Sequence, residues 1–84
     1  MVGRNLILEN LHHKYDEYNK YVFYLPEEYQ FIGKELLHNI RLCLINLKNV
    51  SDDKIKGSIF YHHYQKNMRE LSQFILNPIS DLHL

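Results

Sequence analysis

Leu25-Pro26-Glu27-Glu28-Tyr29-Gln30-Phe31-Ile32-Gly33-Lys34-Glu35-Leu36-Leu37-His38-Asn39-Ile40-Arg41-Leu42-Cys43-Leu44-Ile45-Asn46-Leu47 is the stretch on which the fold turns. Its proline stands where a first helical turn tolerates one, and Glu27 and Glu28 follow where the positive end of a helix dipole favours carboxylates. Tyr29, Ile32, Leu36, Ile40, Cys43 and Leu47 then recur at steps of three or four, flanked by Leu37 and Leu44. That spacing predicts an amphipathic helix over about 27–49.

The flanking blocks repeat the pattern. Before it, Ile7, Leu8, Leu11, Tyr15, Tyr18 and Val22 share one face of a helix over about 6–24, with Asn5 as a candidate N-cap. After it, Ser51-Asp52-Asp53 supplies a cap and an acidic first turn for a third helix over about 52–76, whose face carries Gly57, Phe60, Tyr61, Tyr64, Met68, Leu71 and Ile75. Asn77-Pro78 is expected to stop it and leave residues 77–84 as a short tail. Connections of a few residues make consecutive helices fold back on one another. The expected fold is therefore all-α, an antiparallel three-helix up-down-up bundle in a single domain over 1–84. No block shows the sustained alternation of a strand.

Composition narrows the function classes. Ten Lys plus Arg balance ten Asp plus Glu, so the chain lacks the positive field on which nonspecific phosphate binding rests, and nucleic acid is not the expected partner. No stretch reaches the length and apolarity of a signal peptide or a membrane span. Cys43 is the only cysteine and sits among Leu42, Leu44 and Ile45, which fits a small core filler in a reducing, cytoplasmic setting. At 84 residues the chain buries only roughly 60–65 % of its unfolded surface, so its core must be efficient or shared with another chain.

Sharing has a candidate surface. Opposite the main stripe of the second helix lie Phe31, Leu42 and Ile45, with Lys34 and His38 on the same side. A helix apolar on two sides either sits deep between neighbours, is covered by the C-terminal Ile79, Leu82 and Leu84, or meets another molecule. The interface is the preferred reading, and a homodimer through the second helix is its simplest form. Tyr15, Tyr18, Tyr21 and Tyr24 recur every third residue, a spacing that spirals around a helix, so Tyr21 and Tyr24 join the candidate partner-binding set.

Six histidines invite a metal reading, with His12, His38 and His63 at a similar height in the expected bundle. Zinc needs imidazoles that converge on one point, whereas His12 and His63 fall on flanks and His38 opposite its helix's core face. The segment Leu37-His38-Asn39-Ile40-Arg41-Leu42-Cys43-Leu44 resembles, over about ten residues, the phospho-acceptor box of sensor histidine kinase dimerisation helices. The resemblance implies phosphorylation at His38. That family places an acidic residue after the histidine and a proline two positions after the arginine, where this chain has Asn39 and Cys43. The expected turn also comes too soon after His38 for the family's long hairpin. No nucleophile elbow, phosphate-cradling glycine loop or acid/base pair is recognisable, so no catalytic residue and no cofactor are assigned. The expectation is a non-enzymatic protein-interaction module, a regulator, inhibitor or immunity-type protein of the phage or bacterial small-protein kind. The alternatives are a metal- or ligand-binding sensor using the histidines and a nucleic-acid-binding regulator.

Overall fold

The structure is a computed structural model that describes the backbone of residues 6–82 and the side chains of residues 6–76. It is all-helical, with no strand among the described residues: α1 spans Leu6–Phe23, α2 Glu27–Leu47, α3 Asp52–Ile55 and α4 Ile59–Leu82. Asn5, the expected cap of α1, lies outside the described residues.

The first two helices match their expected limits to within two residues, the ordinary uncertainty of a helix end. Pro26 sits at the N-cap of α2, one position outside the first turn, and its carbonyl accepts from the amides of Tyr29 and Gln30 at 2.9 and 3.2 Å. The connection before it is fastened by the Gln30 side chain, whose Nε2 donates to the carbonyls of Phe23 and Leu25 at 3.2 and 2.9 Å. Those carbonyls have no partner inside α1, so one amide serves two acceptors that a helix end leaves open.

The third expected helix is corrected in two places. It is divided, because Lys56-Gly57-Ser58 interrupts it. Glycine is a poor helix former, and Ser58 offers a fresh start: its Oγ accepts from the Phe60 amide at 3.2 Å and its carbonyl from the amides of Tyr61 and His62. Gly57 consequently lies outside α4 and is exposed, not part of an apolar face. At the other end the helix does not stop at Asn77-Pro78 but runs through Leu82, so residues 77–82 are helical backbone and not a tail. Proline fits the helical φ; it removes one backbone donor and crowds the preceding turn, a penalty of about 3 kcal/mol that a long helix can absorb. Ser51 holds the N-cap position of α3 as expected, yet its hydroxyl makes no capping bond.

The core is assembled around α2, which packs along both α1 and α4, while α3 lies against α1. Val22, Ile40, Leu44, Leu47, Ile55 and Leu71 are fully buried. The expected stripes of α1 and α4 hold, with Leu11, Val22, Tyr64, Met68 and Leu71 buried and Ile7, Leu8, Tyr15, Tyr18, Phe60, Tyr61 and Ile75 packed on them. The stripe of α2 is centred slightly differently. Leu37, Leu44 and Gly33 are buried, whereas Leu36 is half-buried and Ile32, expected inside, is 45 % exposed. Gly33 explains the shift: a Cβ there would stand 2.9 Å from Cγ1 of Val22, so the bare backbone lets α1 and α2 approach at this level. Ile55 was not anticipated as core; it closes the end of the bundle from the short α3.

Candidate interaction surfaces

At 100° per residue, Phe31, His38, Leu42 and Ile45 fall within an arc of about 60° directly opposite Gly33, Ile40 and Leu44. The structure leaves that face uncovered: Phe31 is 74 % exposed, Ile45 56 % and Leu42 45 %, with Lys34 and His38 exposed beside them. The first of the three readings, a helix buried between neighbours on both sides, is therefore overturned. The second, cover by Ile79, Leu82 and Leu84, falls on side chains outside the described residues. From Phe31 to Ile45 the face extends about 21 Å along the helix, with Lys34 and His38 between its apolar ends. Lys34, His38 and Arg41 also border a shallow hollow of about 180 Å³ against Tyr15 and Asn19 of α1, which gives the row a basic edge.

Of the two tyrosines assigned to the same surface, Tyr21 lies elsewhere. Tyr24 projects from the α1–α2 connection and is 87 % exposed, beside an exposed Phe23. Tyr21 turns towards α4, with its hydroxyl 3.5 Å from Oε1 of Glu17 and its ring 5.9 Å from that of Tyr18. The five α2 residues thus form one continuous face, to which Tyr21 does not contribute.

Sequence reasoning missed a second feature, a cleft of about 530 Å³ between α1 and α4. Side chains, not backbone, bridge those helices. The Tyr18 and Ser72 hydroxyls are 2.8 Å apart, and the Tyr64 hydroxyl donates to the Leu11 carbonyl at 3.2 Å. Tyrosines at this junction are longer than the leucines that fill the other contacts, and they hold the two helices apart. Burial pushes the Tyr64 phenol well above its ordinary pKa, with the nearby phenols of Tyr61 and Tyr18 adding to the shift, so it stays a protonated donor. The Tyr61 and Tyr64 rings are nearly parallel, 12° apart in plane and 6.4 Å between centres. The available signal was the three-residue step from Tyr18 to Tyr21 and from Tyr64 back to Tyr61, which carries an aromatic row off the core face and onto a flank of each helix.

The three histidines of the metal reading are not gathered. His38 borders the hollow between α1 and α2, His63 borders a different one of about 300 Å³ between α2 and α4 beside Asn39 and Cys43, and His12 is exposed on α1. Among the described residues no group of three or more His, Cys, Asp or Glu side chains is placed to hold a metal ion, so the set His12, His38 and His63 is not brought together. Cys43 is a buried free thiol whose burial raises its pKa, the inert state expected of a core filler. Among the described residues no helix is long and apolar enough to cross a membrane. No protein-family model matches the chain, and neither the curated proteins nor the solved structures contain a match to it.

Proposed function

We propose that this chain is a non-catalytic helical interaction module, a regulator, inhibitor or immunity-type protein, that binds a protein partner in the cytoplasm through the outward face of α2. In this reading α1, α2 and α4 form an antiparallel up-down-up bundle and α3 belongs to the α2–α4 connection. The packing of Tyr29 against Phe74 and the shared hollow of Asn46 with Phe60 support that topology, because they pair the start of α2 with the end of α4 and the reverse. The observation that carries the function is the exposure of Phe31, Leu42 and Ile45 on one side of a helix whose opposite side already fills the core. A monomer has no use for apolar side chains on a second side of a helix, and helix-in-groove recognition uses anchors three or four positions apart, the step from Leu42 to Ile45, with Phe31 about three turns away. A second copy is the simplest partner, since two α2 faces related by a two-fold axis need no further component.

Phe31→Asp and Leu42→Asp test the proposal. A carboxylate buried without a partner in an interface is strongly unfavourable but is tolerated where the side chain faces water. Both variants should keep their helical circular dichroism and yet lower the mass measured by light scattering, or abolish capture of the partner from the native host. A wild type that is monomeric at high concentration, with variants that still capture the same partner, would refute it.

A further inference from the structure

The cleft between α1 and α4 has chemistry that neither the core nor the α2 face uses. The bridges Leu11–Tyr64 and Tyr18–Ser72 span 53 and 54 positions, so a residue of α1 stands level with the residue about 53 positions on in α4. Lys14 is then level with position 67 or 68, and Arg69, which lines the opposite wall, is offset from it by only about 2–3 Å along the axis. Two cations therefore face the same level of the cleft from its two sides. Among the described residues Glu17 is the sole carboxylate in the lining, and it lies 3.5 Å from the Tyr21 hydroxyl on its own helix. By the same register the tyrosines stand on either side of that level, Tyr61 and Tyr64 of α4 towards the N-terminal ends of the two helices and Tyr18 and Tyr21 of α1 towards their C-terminal ends.

We propose that this cleft is a binding site for a small aromatic anion, a planar ring carrying a phosphate, sulfonate or carboxylate group, with Lys14 and Arg69 holding the anionic group and Tyr18 and Tyr21, next to them along the cleft, holding the ring. Size agrees: about 530 Å³ lies in the range of small-molecule sites and exceeds what a free inorganic anion fills. The chemistry decides between ligand classes. Lys14 and Arg69 are exposed and hydrated, so an inorganic anion gains from them alone and a neutral ring from the tyrosines alone, whereas a ligand with both parts gains from both. The ring of Tyr21, 47 % exposed and tilted against that of Tyr18 at 5.9 Å, offers a face for offset stacking, and a guanidinium group pairs with carboxylate or phosphate oxygens through two parallel hydrogen bonds. This site is on the other side of α1 from the α2 face, so it stands or falls independently of the partner-binding proposal.

The test is a nuclear magnetic resonance titration of the full chain with phenyl phosphate, and in parallel with phenol and with inorganic phosphate. Phenyl phosphate should move the ring signals of Tyr18 and Tyr21 along a saturable curve in the millimolar range, the affinity open to a ligand of so few atoms. Phenol and inorganic phosphate should each bind at least about tenfold more weakly, and Lys14→Gln with Arg69→Gln should weaken phenyl phosphate by at least about tenfold. Each single variant should show part of that loss, which keeps the test valid if the pair folds poorly. Lys48→Gln with Lys54→Gln removes the same charge elsewhere and should leave the affinity unchanged. The proposal is overturned by absence of saturable shifts, by shifts centred on the α2 face, or by equal weakening in the control pair.

Discussion

Gly33 is the position at which two opposing effects can be weighed most directly. Replacing a helical glycine with alanine stabilises a helix by about 0.8–1 kcal/mol, through lost freedom in the unfolded chain. Here the added methyl would stand 2.9 Å from Cγ1 and 3.2 Å from Cγ2 of Val22, and 3.5 Å from Cδ1 of Leu25. The first two distances are too short, and Val22 has nowhere to go: it is fully buried, and a β-branched side chain in a helix has one strongly preferred rotamer. The helices must separate, at the roughly 1–3 kcal/mol that overpacking costs. Gly33→Ala is therefore expected to destabilise by about 0–2 kcal/mol, the difference between the two terms. In a Val22→Ala background the obstruction is gone, and the same substitution should stabilise by up to about 1 kcal/mol. Urea unfolding of the four proteins, followed by far-ultraviolet circular dichroism, gives the cycle, with a favourable coupling of about 1–3 kcal/mol expected. If Gly33→Ala stabilises the parent by its full propensity gain, or the cycle is additive within about 0.5 kcal/mol, the close approach of α1 and α2 at this level is wrong.

Three other outcomes follow from the same packing. Leu71→Ala and Ile55→Ala should each cost about 2–5 kcal/mol in denaturant unfolding, although Ile55 sits on a helix of only four residues; parental stability in Ile55→Ala would detach α3 from the core. Tyr64→Phe removes the bond to the Leu11 carbonyl and should cost about 0.5–1.5 kcal/mol at neutral pH. The folded state holds the Tyr64 proton more tightly than the unfolded chain, whose phenol titrates near 10.0, so stability is intact below that pH and falls above it; Tyr64→Phe should flatten this alkaline decline, and an unchanged profile would contradict the burial of the phenol. His13→Ala and His62→Ala, both exposed, should each change stability by less than about 0.5 kcal/mol, and a larger loss in either would show that it packs on something.

Much of the fold was legible because helical periodicity records which side of each helix meets its neighbours. The limits of α1 and α2 and the buried Leu11, Val22, Ile40, Cys43, Leu47 and Leu71 follow from it directly. Gly33 shows where it fails. A residue without a side chain contributes nothing to an apolar pattern, so the stripe of α2 was read roughly 40° away from its true centre and took in Ile32, which is exposed. The break at Gly57-Ser58 carried a local signal, a weak helix former followed by a capping residue, that the apolar spacing across it concealed. Pro78 is the reverse case, a local stop signal that the rest of α4 overrides.

The two candidate surfaces differ in what sequence can say about them. The α2 row was legible as a second apolar side, because one helix contains it entirely. Whether anything covers such a row depends on the other helices. The α1–α4 cleft could not be read at all, since it exists only through a register set by two hydroxyl bonds between residues more than fifty positions apart. This difference also bears on stability. The core is contiguous from Leu11 and Ile55 at one end to Val22 and Leu25 at the other, and it includes neither Phe31, Leu42 nor Ile45. The fold therefore has no need of the α2 row. A charge placed there should leave the monomer standing, and for that reason Phe31→Asp and Leu42→Asp separate binding from folding where a core substitution such as Leu71→Ala cannot.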